Sequence, residues 1–391
     1  MKPLSTRVSA IAPSATFAIN NKANEMIAKG INVLKFGTGE PDYNTPENVK
    51  AAAKKAIDEN KSKYTASTGI PELKKAIAEK FRKENGLDYS VKEVIACNGA
   101  KQALFGAFFA LLNEGDEVIL PKPAWVSFKE QIQIAGGRVK WVETDENFKL
   151  HAETVAKAIT PKTKAILINS PNNPTGAVFE EKEVRKIAEL AIENDFFIIS
   201  DECYEYFIYS GKKQFSPATI SEEAKARTIT INAVSKSYAM TGWRLGYAAG
   251  PQKIISLMGN LQDHSTSNPS NPAQYAAIEA LNGPKKDLHE MVSEFKKRRD
   301  ATVKGLNEID GFDCPMPEGA FYAFPRVNSL YGEKINGSDE MCNFLLEEAH
   351  VALVSGKAFE ADDCIRFSYA SSMQSIVEGL ERIKSAAAKL K

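Results

Sequence analysis

The chain has 391 residues, of which 43% are hydrophobic and 26% charged, a composition typical of globular proteins with one large or two ordinary domains. Fifty basic and 50 acidic residues give a formal net charge of zero, which does not favour nucleic acid or an anionic membrane as partner. No apolar stretch reaches the roughly 18 to 20 residues of a membrane span, and the N-terminus lacks a signal-peptide core. We therefore expect a cytoplasmic protein that acts on small molecules.

The cysteines and histidines predict neither disulfides nor a metal centre. The five cysteines are scattered without CxxC spacing, which favours free, buried thiols in a reducing compartment. The four histidines form no HExxH motif and no cluster with cysteine.

Residues 1–45 are predicted to form an N-terminal arm that packs as part of a small domain. Within them, the segment from Phe36 onward (FGTGEPDYNTP) is dense in glycine, proline, aspartate and asparagine, which predicts a structured loop. Two amphipathic helices should follow over 47–60 and 71–85, the second with Pro71 at its first position.

Residues 46–285 are predicted to form a large domain in which strands and helices alternate. Short apolar runs predict strands at 93–97, 116–121, 165–170, 196–200 and 228–234, and a further short strand at 247–250. Helical patterns separate the first four of these. Continuous apolar strands between helices indicate an α/β fold with a mostly parallel sheet covered by helices on both faces.

Residues 286–391 are predicted to form a smaller α+β domain. A long amphipathic helix over 284–306 leads into predicted strands at 319–325 and 364–370 and helices at 341–350 and 375–390. We expect the N-terminal arm and its loop to pack here, so that this small domain is discontinuous in sequence.

Polar side chains follow three of the predicted strands. Asn173 comes after 165–170, Asp201 and Tyr204 after 196–200, and Ser235 and Lys236 after 228–234. Ligands of α/β sheets bind beyond the carboxyl ends of the strands, so we expect these groups to meet. A buried carboxylate could hold a proton on a ring nitrogen, an amide and a phenol could contact a ring oxygen, and a desolvated lysine could act as a nucleophile. Together they describe a site for pyridoxal phosphate.

Other residues suit the phosphate and the ring of that cofactor. Gly99 and Ala100 open a predicted helix whose amides could bind phosphate, and Arg244 offers a forked cation. Trp125 could stack on the pyridine ring. Each residue also has a structural alternative: Asp201 could cap a helix, Trp125 could belong to the core, and Asn173 could serve a turn.

Several ordered motifs resemble the fold-type I pyridoxal phosphate aminotransferases. The motifs are PSATFAIN, GTGEPD, KYTASTGIPELKKAIA, NGAKQAL, PAWVSF, SPNNPTG, SDECYE, SKSYAMTGWRLGY, HSTSNP, GAFY and IRFSYA. The resemblance extends over nearly the whole chain and is greatest to the bacterial-type aspartate aminotransferase branch. It implies transfer of the amino group of aspartate or glutamate to a 2-oxo acid.

The resemblance also implies a role for each matching residue. Lys236 would bind the cofactor aldehyde and later move the substrate proton, Asp201 would pair with the ring nitrogen, and Tyr204 and Asn173 would contact the ring oxygen. Trp125 would stack on the ring and also line the substrate site. The phosphate would lie near Gly99, Ala100, Lys101, Ser235 and Arg244, with Tyr64 from the second subunit of a homodimer. Arg366 would bind the substrate α-carboxylate, together with Asn173, and Gly39 would close over it.

Three positions bear on the substrate. No arginine occurs in LQDHSTSNP, where another branch carries the cation for the distal carboxylate, so Lys101 is the expected substitute; its alternative role is phosphate contact alone. Asp263 in that segment predicts either a surface or interface salt bridge or an altered specificity. Ala12 stands where relatives acting on prephenate tend to carry a basic or hydroxyl residue.

The alternatives to an aspartate aminotransferase differ in reaction or class. The same cofactor could serve aromatic, alanine, kynurenine or prephenate transamination, or β-elimination. A regulatory protein that senses an effector is disfavoured, because the chain has no basic patch and no room for a helix-turn-helix ahead of PSATFAIN. A dehydrogenase is unsupported, because no GxGxxG follows a strand.

Overall fold

A computed structural model describes residues 2–12 and 15–390 of the chain. Pro13 and Ser14, the first two residues of PSATFAIN, lie outside the described residues, as do the two terminal residues. The strands are β1 (Leu34–Lys35), β2 (Val94–Cys97), β3 (Glu117–Lys122), β4 (Arg138–Glu143), β5 (Thr163–Asn169), β6 (Phe197–Asp201), β7 (Thr228–Ala233), β8 (Gly246–Ala249), β9 (Tyr322–Ala323), β10 (Val351–Ala352), β11 (Val354–Ser355) and β12 (Ile365–Ser368).

The helices surround these strands. They are α1 (Thr6–Ser9), α2 (Ala15–Ala28), α3 (Glu47–Asp58), α4 (Pro71–Lys80), α5 (Ala100–Leu111), α6 (Val126–Ile134), α7 (Ala152–Ala158), α8 (Glu181–Glu193), α9 (Glu222–Lys225), α10 (Val234–Ser237), α11 (Gln252–Asp263), α12 (Asn271–Asn282), α13 (Lys286–Asn307), α14 (Ser338–Glu348) and α15 (Met373–Ala387). A π-helical turn over Phe81–Asn85 extends α4 and ends at Gly86, whose φ is 68°. Within the described residues, no helix is both long enough and apolar enough to cross a bilayer.

Seven strands form the main sheet in the order β2-β8-β7-β6-β5-β3-β4. Only β8 runs antiparallel to its neighbours; the other pairings in this sheet are parallel. One apolar layer packs the sheet against α5, α6 and α11, and a second layer packs its other face against α7 and α8. The α/β fold with helices on both faces is therefore confirmed.

A smaller unit is built from both ends of the chain. Strand β1 pairs in parallel with β10, with Leu34 opposite Val351, while β11, β12 and β9 form an antiparallel sheet. The predicted discontinuous small domain is confirmed by this pairing. The exact domain limits at 45 and 285 stay a prediction. All five cysteines are buried and free, as expected.

Two details differ from the sequence-based expectations. The predicted strand over 319–325 forms a ladder only at Tyr322–Ala323, because Ala320 adopts a left-handed conformation (φ 54°) that bends the chain just before it. Strand β4 was not predicted, since it lies at the sheet edge with mostly solvent-accessible side chains and lacks a continuous apolar run.

Candidate active site

A cavity of about 430 Å³ lies beyond the carboxyl ends of β5, β6 and β7. Most of the predicted site residues line it: Gly39, Ala100, Lys101, Trp125, Asn173, Asp201, Tyr204, Ser235, Lys236, Arg244 and Arg366. Gly99 directly precedes Ala100 in the chain, and Tyr64 lies outside this cavity. The topology thus brings together the groups that follow separate strands, as the sequence predicts.

Lys236 lies in the short helix α10, directly after the buried strand β7. Its amine donates a hydrogen bond to the carbonyl oxygen of Gly39. The pKa of Lys236 is lowered to about 8, mainly by burial and also by the nearby cations Arg244 and Arg366, while Cys203 and Glu40 oppose the shift. The structure therefore holds this amine in surroundings that favour its neutral, nucleophilic form.

Asp201 is the last residue of β6, and its carboxylate is buried at the base of the cavity. Oδ1 accepts a hydrogen bond of 3.2 Å from the backbone N–H of Cys203, and the chain continues as a turn. The alternative of helix capping is therefore wrong. Burial raises the pKa of Asp201, while the contacts with Cys203 and the charge of Lys236 lower it.

Arg366 projects from β12 into the opposite side of the cavity and is buried. Its Nη1 donates to Asn173 Oδ1 at 2.9 Å and its Nη2 to the carbonyl of Gly37 at 2.8 Å. Its Nε is buried with no hydrogen-bond partner among the described residues. The guanidinium lies over the rings of Tyr322, at 4.6 Å, and Phe359, at 5.0 Å. A desolvated guanidinium with unused donors fits a carboxylate ligand.

The N-terminus of α5 faces Arg244. Gly99 caps this helix with φ 84°, and a Cβ built there would lie 2.5 Å from Arg244 Nη2. The amides of Ala100 and Lys101 precede the first hydrogen bond of the helix, which runs from Gln102 to Gly99. Free amides, the helix dipole and a guanidinium form a cradle suited to a phosphate group.

Lys101 and Trp125 lie side by side at the cavity wall. The amine of Lys101 is 4.8 Å from the centre of a Trp125 ring, and this tryptophan packs edge-on against Phe128. Burial lowers the pKa of Lys101, and the charge of Arg244 lowers it further. Trp125 therefore lines the cavity while also contacting the core, and its stacking on a cofactor ring stays a prediction.

Tyr64 does not line this cavity. Its side chain is 92% exposed and borders a separate surface depression with Ser267 and Asn268. Asp263 is exposed at the end of α11 and makes no ion pair within the described residues. The backbone N–H of Ala12 donates to Glu130 Oε2 at 3.4 Å.

The sequence analysis missed several residues of the cavity: Thr38, Glu40, Cys203, Thr241 and Tyr322. Thr241 donates to Glu40 Oε2 at 2.6 Å, and the hydroxyls of Tyr204 and Tyr322 are 2.8 Å apart. All five belong to motifs that were recognised. Strand pairing with β12 positions Tyr322, and folded loops and turns bring the other four residues into the cavity, which sequence spacing does not reveal.

The donor set fits pyridoxal phosphate. The buried carboxylate of Asp201 has no side-chain cation bonded to it among the described residues, and it can accept a hydrogen bond from a protonated ring nitrogen. The half-buried amine of Lys236 and the phosphate cradle at Gly99 to Lys101 lie on the same cavity. No group of three or more His, Cys, Asp or Glu residues in the described ranges could hold a metal ion.

This fold and cavity define a pyridoxal phosphate-dependent aminotransferase. The family model for aminotransferase class I and II matches residues 31–383, and the chain belongs to that family. It is 49% identical to an aspartate aminotransferase of Bacillus sp. strain YM-2 (97% of this chain, 98% of the relative) and 51% identical to a probable aspartate/prephenate aminotransferase of Aquifex aeolicus (98% of each).

Solved structures agree with this assignment. The chain superposes on the aspartate aminotransferase of Rhizobium meliloti with a TM-score of 0.95 and 43% identity, covering 99% of each chain. The aspartate aminotransferase of Thermus thermophilus with maleate gives a TM-score of 0.94 at 43% identity, covering 99% of this chain and 100% of the other.

Proposed function

We propose that the protein is an aspartate aminotransferase that exchanges the amino group between aspartate or glutamate and a 2-oxo acid. The observation that carries the proposal is one cavity lined by a half-buried amine, a buried carboxylate and two cations, Arg366 and Lys101, suited to a dicarboxylic substrate. The names of the relatives from Bacillus and Thermus support the same substrate.

The reaction needs a cofactor that the chain would hold through the predicted residues. When bound, pyridoxal phosphate supplies an aldehyde for amine exchange and a ring that accepts the charge left when the substrate α-proton departs. Lys236 would bind the aldehyde, Asp201 would hold the proton of the ring nitrogen, and Tyr204 and Asn173 would contact the ring oxygen. Trp125 would cover the ring face.

The same proposal assigns the phosphate and the substrate to opposite ends of the cavity. The amides of Ala100 and Lys101, the Ser235 hydroxyl and the Arg244 guanidinium would hold the phosphate beside Gly99, whose own N–H donates to the carbonyl of Cys97 at 2.8 Å. Arg366 holds the α-carboxylate of the substrate and Gly39 covers it. Lys101 neutralises the distal carboxylate from beside Trp125, where the ring excludes water.

Lys236 moves the substrate proton. Its Nζ would carry this proton beside the bound cofactor, and its lowered pKa of about 8 keeps a share of the amine unprotonated near neutral pH. A neutral amine can accept the proton from the substrate α-carbon and return it at another atom. Arg366 and Lys101 fix the substrate so that this carbon faces Nζ.

A substrate panel tests the proposal. Purified protein loaded with cofactor is mixed in turn with aspartate, glutamate, alanine, phenylalanine and lysine, and the loss of the aldehyde-form absorbance is followed. We expect aspartate and glutamate to react fastest and to leave the amine form of the cofactor. If aspartate reacts slowest, the assignment of the distal carboxylate to Lys101 is wrong.

Prephenate is a second candidate substrate, because the Aquifex aeolicus relative carries it in its name. In this chain Ala12 offers no side-chain donor, and Glu130 adds a carboxylate 3.4 Å from its N–H. Prephenate would therefore find no side-chain donor at this position. We therefore expect prephenate to be transaminated more slowly than oxaloacetate in a direct competition assay.

We also propose that the protein is a cytoplasmic homodimer with shared active sites. Arg244 is exposed in the single chain, so the phosphate end of the cavity lies open to one side. Tyr64, exposed on its own subunit, would reach the phosphate of the partner. The N-terminal residues Leu4 and Val8 are also exposed and apolar, as expected of an arm that packs on a second copy.

A further inference from the structure

Tyr322 occupies the junction between the two ends of the substrate site. It lies in β9, opposite Ser368 of β12, and its ring is fully buried. Its hydroxyl is 2.8 Å from the hydroxyl of Tyr204, and its ring lies 4.6 Å below the guanidinium of Arg366. A single side chain therefore contacts both the phenol assigned to the cofactor and the cation assigned to the substrate.

The two phenols have one proton each, which limits how they can share a hydrogen bond. Among the described residues, neither hydroxyl has another hydrogen-bond partner. If Tyr204 is to donate its hydrogen bond to the ring oxygen of the cofactor, its oxygen must accept the hydrogen bond from the Tyr322 hydroxyl. The reverse arrangement would direct the Tyr204 proton away from the cofactor.

The surroundings favour donation by Tyr322. Burial raises the pKa of both hydroxyls, and the positive charge of Arg366 lowers the pKa of both, but it acts more strongly on Tyr322, which lies directly under the guanidinium. The more acidic of two phenols is the better donor. Hydrogen bonds in a chain polarise one another, so donation by Tyr322 also strengthens the donor capacity of Tyr204.

The loop over the site leaves Tyr322 little freedom to turn away. A Cβ built on Gly39 would lie 2.6 Å from the Tyr322 hydroxyl, so the backbone of the loop already lies against that oxygen. The same loop accepts hydrogen bonds from Lys236 at Gly39 and from Arg366 at Gly37. Packing therefore keeps the hydroxyl directed at Tyr204.

We propose that Tyr322 is a positioning residue that donates its hydroxyl proton to Tyr204 and so directs the Tyr204 proton to the ring oxygen of the cofactor. The proposal rests on the function proposed above. Its effect should appear in the cofactor itself, because a hydrogen bond to the ring oxygen stabilises negative charge there and lowers the pH at which the lysine-bound cofactor loses its proton.

The test compares Tyr322→Phe, which removes only the hydroxyl, with Tyr369→Phe. Tyr369 is equally buried, but its hydroxyl donates to the carbonyl of Ala320 at 3.3 Å and does not line the cavity. For each variant the visible absorbance of the bound cofactor is titrated with pH without substrate, and the cofactor dissociation constant is measured. We expect Tyr322→Phe to raise the midpoint by about 0.5 to 1 pH unit and to weaken cofactor binding by about 3- to 10-fold. Tyr369→Phe should change neither.

A double-mutant cycle with Tyr204→Phe tests whether Tyr322 acts through Tyr204. In the Tyr204→Phe background, adding Tyr322→Phe should leave the midpoint unchanged, because the acceptor of its proton is already gone. The KM for aspartate should change less than kcat, since phenylalanine keeps the ring under Arg366. An unchanged midpoint in Tyr322→Phe, or an equal shift in both backgrounds, would overturn the proposal.

The outcomes separate this proposal from the proposed function. The pH titration needs only bound cofactor. If the protein binds the cofactor but does not transaminate aspartate, the proposed substrate is wrong. The proposal for Tyr322 is then still tested by the midpoint of the titration. A protein that binds no cofactor refutes both.

Discussion

Individual side chains in the cavity carry charges that the fold does not neutralise. Lys236, Arg366 and Lys101 are cations whose pKa values burial lowers, and Asp201 is an acid whose pKa burial raises. Each of these shifts means that the folded protein without ligands disfavours the charged form. Part of the cost of building the site is therefore repaid only when cofactor and substrate bind.

The pKa of Lys236 leads to a stability prediction for the cofactor-free protein. In the folded state it is lowered from 10.5 to about 8, so between these values the unfolded chain binds more protons and stability rises with pH. Below pH 8 both states are protonated and the folded state carries the full penalty. We expect Lys236→Met to raise the free energy of unfolding by about 1 to 3 kcal/mol at pH 7, with the gain disappearing above pH 10.5.

Thermal or urea unfolding of the cofactor-free protein across that pH range measures the effect. Lys157→Met, on the exposed side of α7, controls for the loss of one positive charge. A Lys236→Met protein that is less stable than the native one at pH 7 would show that the amine is stabilised rather than strained by its surroundings.

Lys101 is expected to act on the distal carboxylate of the substrate. Lys101→Ala should raise the KM for aspartate by about 10- to 100-fold, corresponding to the loss of one charge-assisted contact, and should change the KM for alanine much less. Steady-state kinetics with both amino donors separate this role from phosphate contact, which would weaken cofactor binding and affect both donors equally. Lys129→Ala, an exposed lysine paired with Glu360, is the matched control.

At the scale of elements, the N-terminus of α5 depends on Gly99. Its φ of 84° suits glycine, and any Cβ would press on Arg244. Gly115 has nearly the same φ, 86°, but a Cβ there would meet nothing within 4 Å. Alanine substitutions at these two glycines therefore distinguish the effect of backbone strain from the effect of displacing Arg244.

We expect Gly99→Ala to weaken cofactor binding by at least about tenfold, because the displaced guanidinium can no longer face the helix amides. Gly115→Ala should cost only about 1 kcal/mol of stability from backbone strain and leave cofactor binding intact. Equilibrium cofactor titrations and thermal unfolding of both variants check this. Equal cofactor affinities for the two variants would show that Gly99 and Arg244 do not form part of the phosphate site.

The strands show which elements sequence can predict. The buried strands β2, β3, β5, β6 and β7 were predicted to within a few residues, because continuous apolar runs identify strands that are covered on both faces. The polar residues that follow β5, β6 and β7 were therefore placed correctly at one edge of the sheet. The antiparallel direction of β8 and the edge strand β4 depend on long-range pairing, which local patterns do not encode.

Tyr322 shows the same limit at the site. The motif GAFY was recognised, but the direction of its tyrosine follows from the bend at Ala320 and from pairing with β12, about 45 residues away. Cys203 and Glu40 likewise stand beside recognised residues, and only the folded turn and loop bring them into the cavity. Sequence motifs predict which segments line the site, but contacts between side chains of different elements follow only from the folded structure.

For the whole molecule, the exposed Tyr64 predicts that one subunit cannot complete its own site. Tyr64→Ala should weaken cofactor binding, and mixing Tyr64→Ala with Lys236→Ala subunits should restore one native site in each hybrid dimer. We expect the mixture, after subunit exchange, to regain measurable transamination that neither parent has at low cofactor concentration.

Sedimentation at the assay concentration establishes whether dimers are present. The control mixes subunits that carry both substitutions with subunits that carry only Lys236→Ala. No hybrid in this mixture has a complete site. Recovery in the control, or no recovery in the test mixture of dimers, would contradict a shared site.

The central claim is that Lys236 is the residue that binds the cofactor. Reduction of the cofactor-loaded protein with borohydride fixes the cofactor on its lysine, and mass spectrometry of the digested protein locates it. The account predicts a phosphopyridoxyl group on the peptide that contains Lys236 and on no other lysine. A label on Lys101, or the absence of any label on a protein saturated with pyridoxal phosphate, would contradict it.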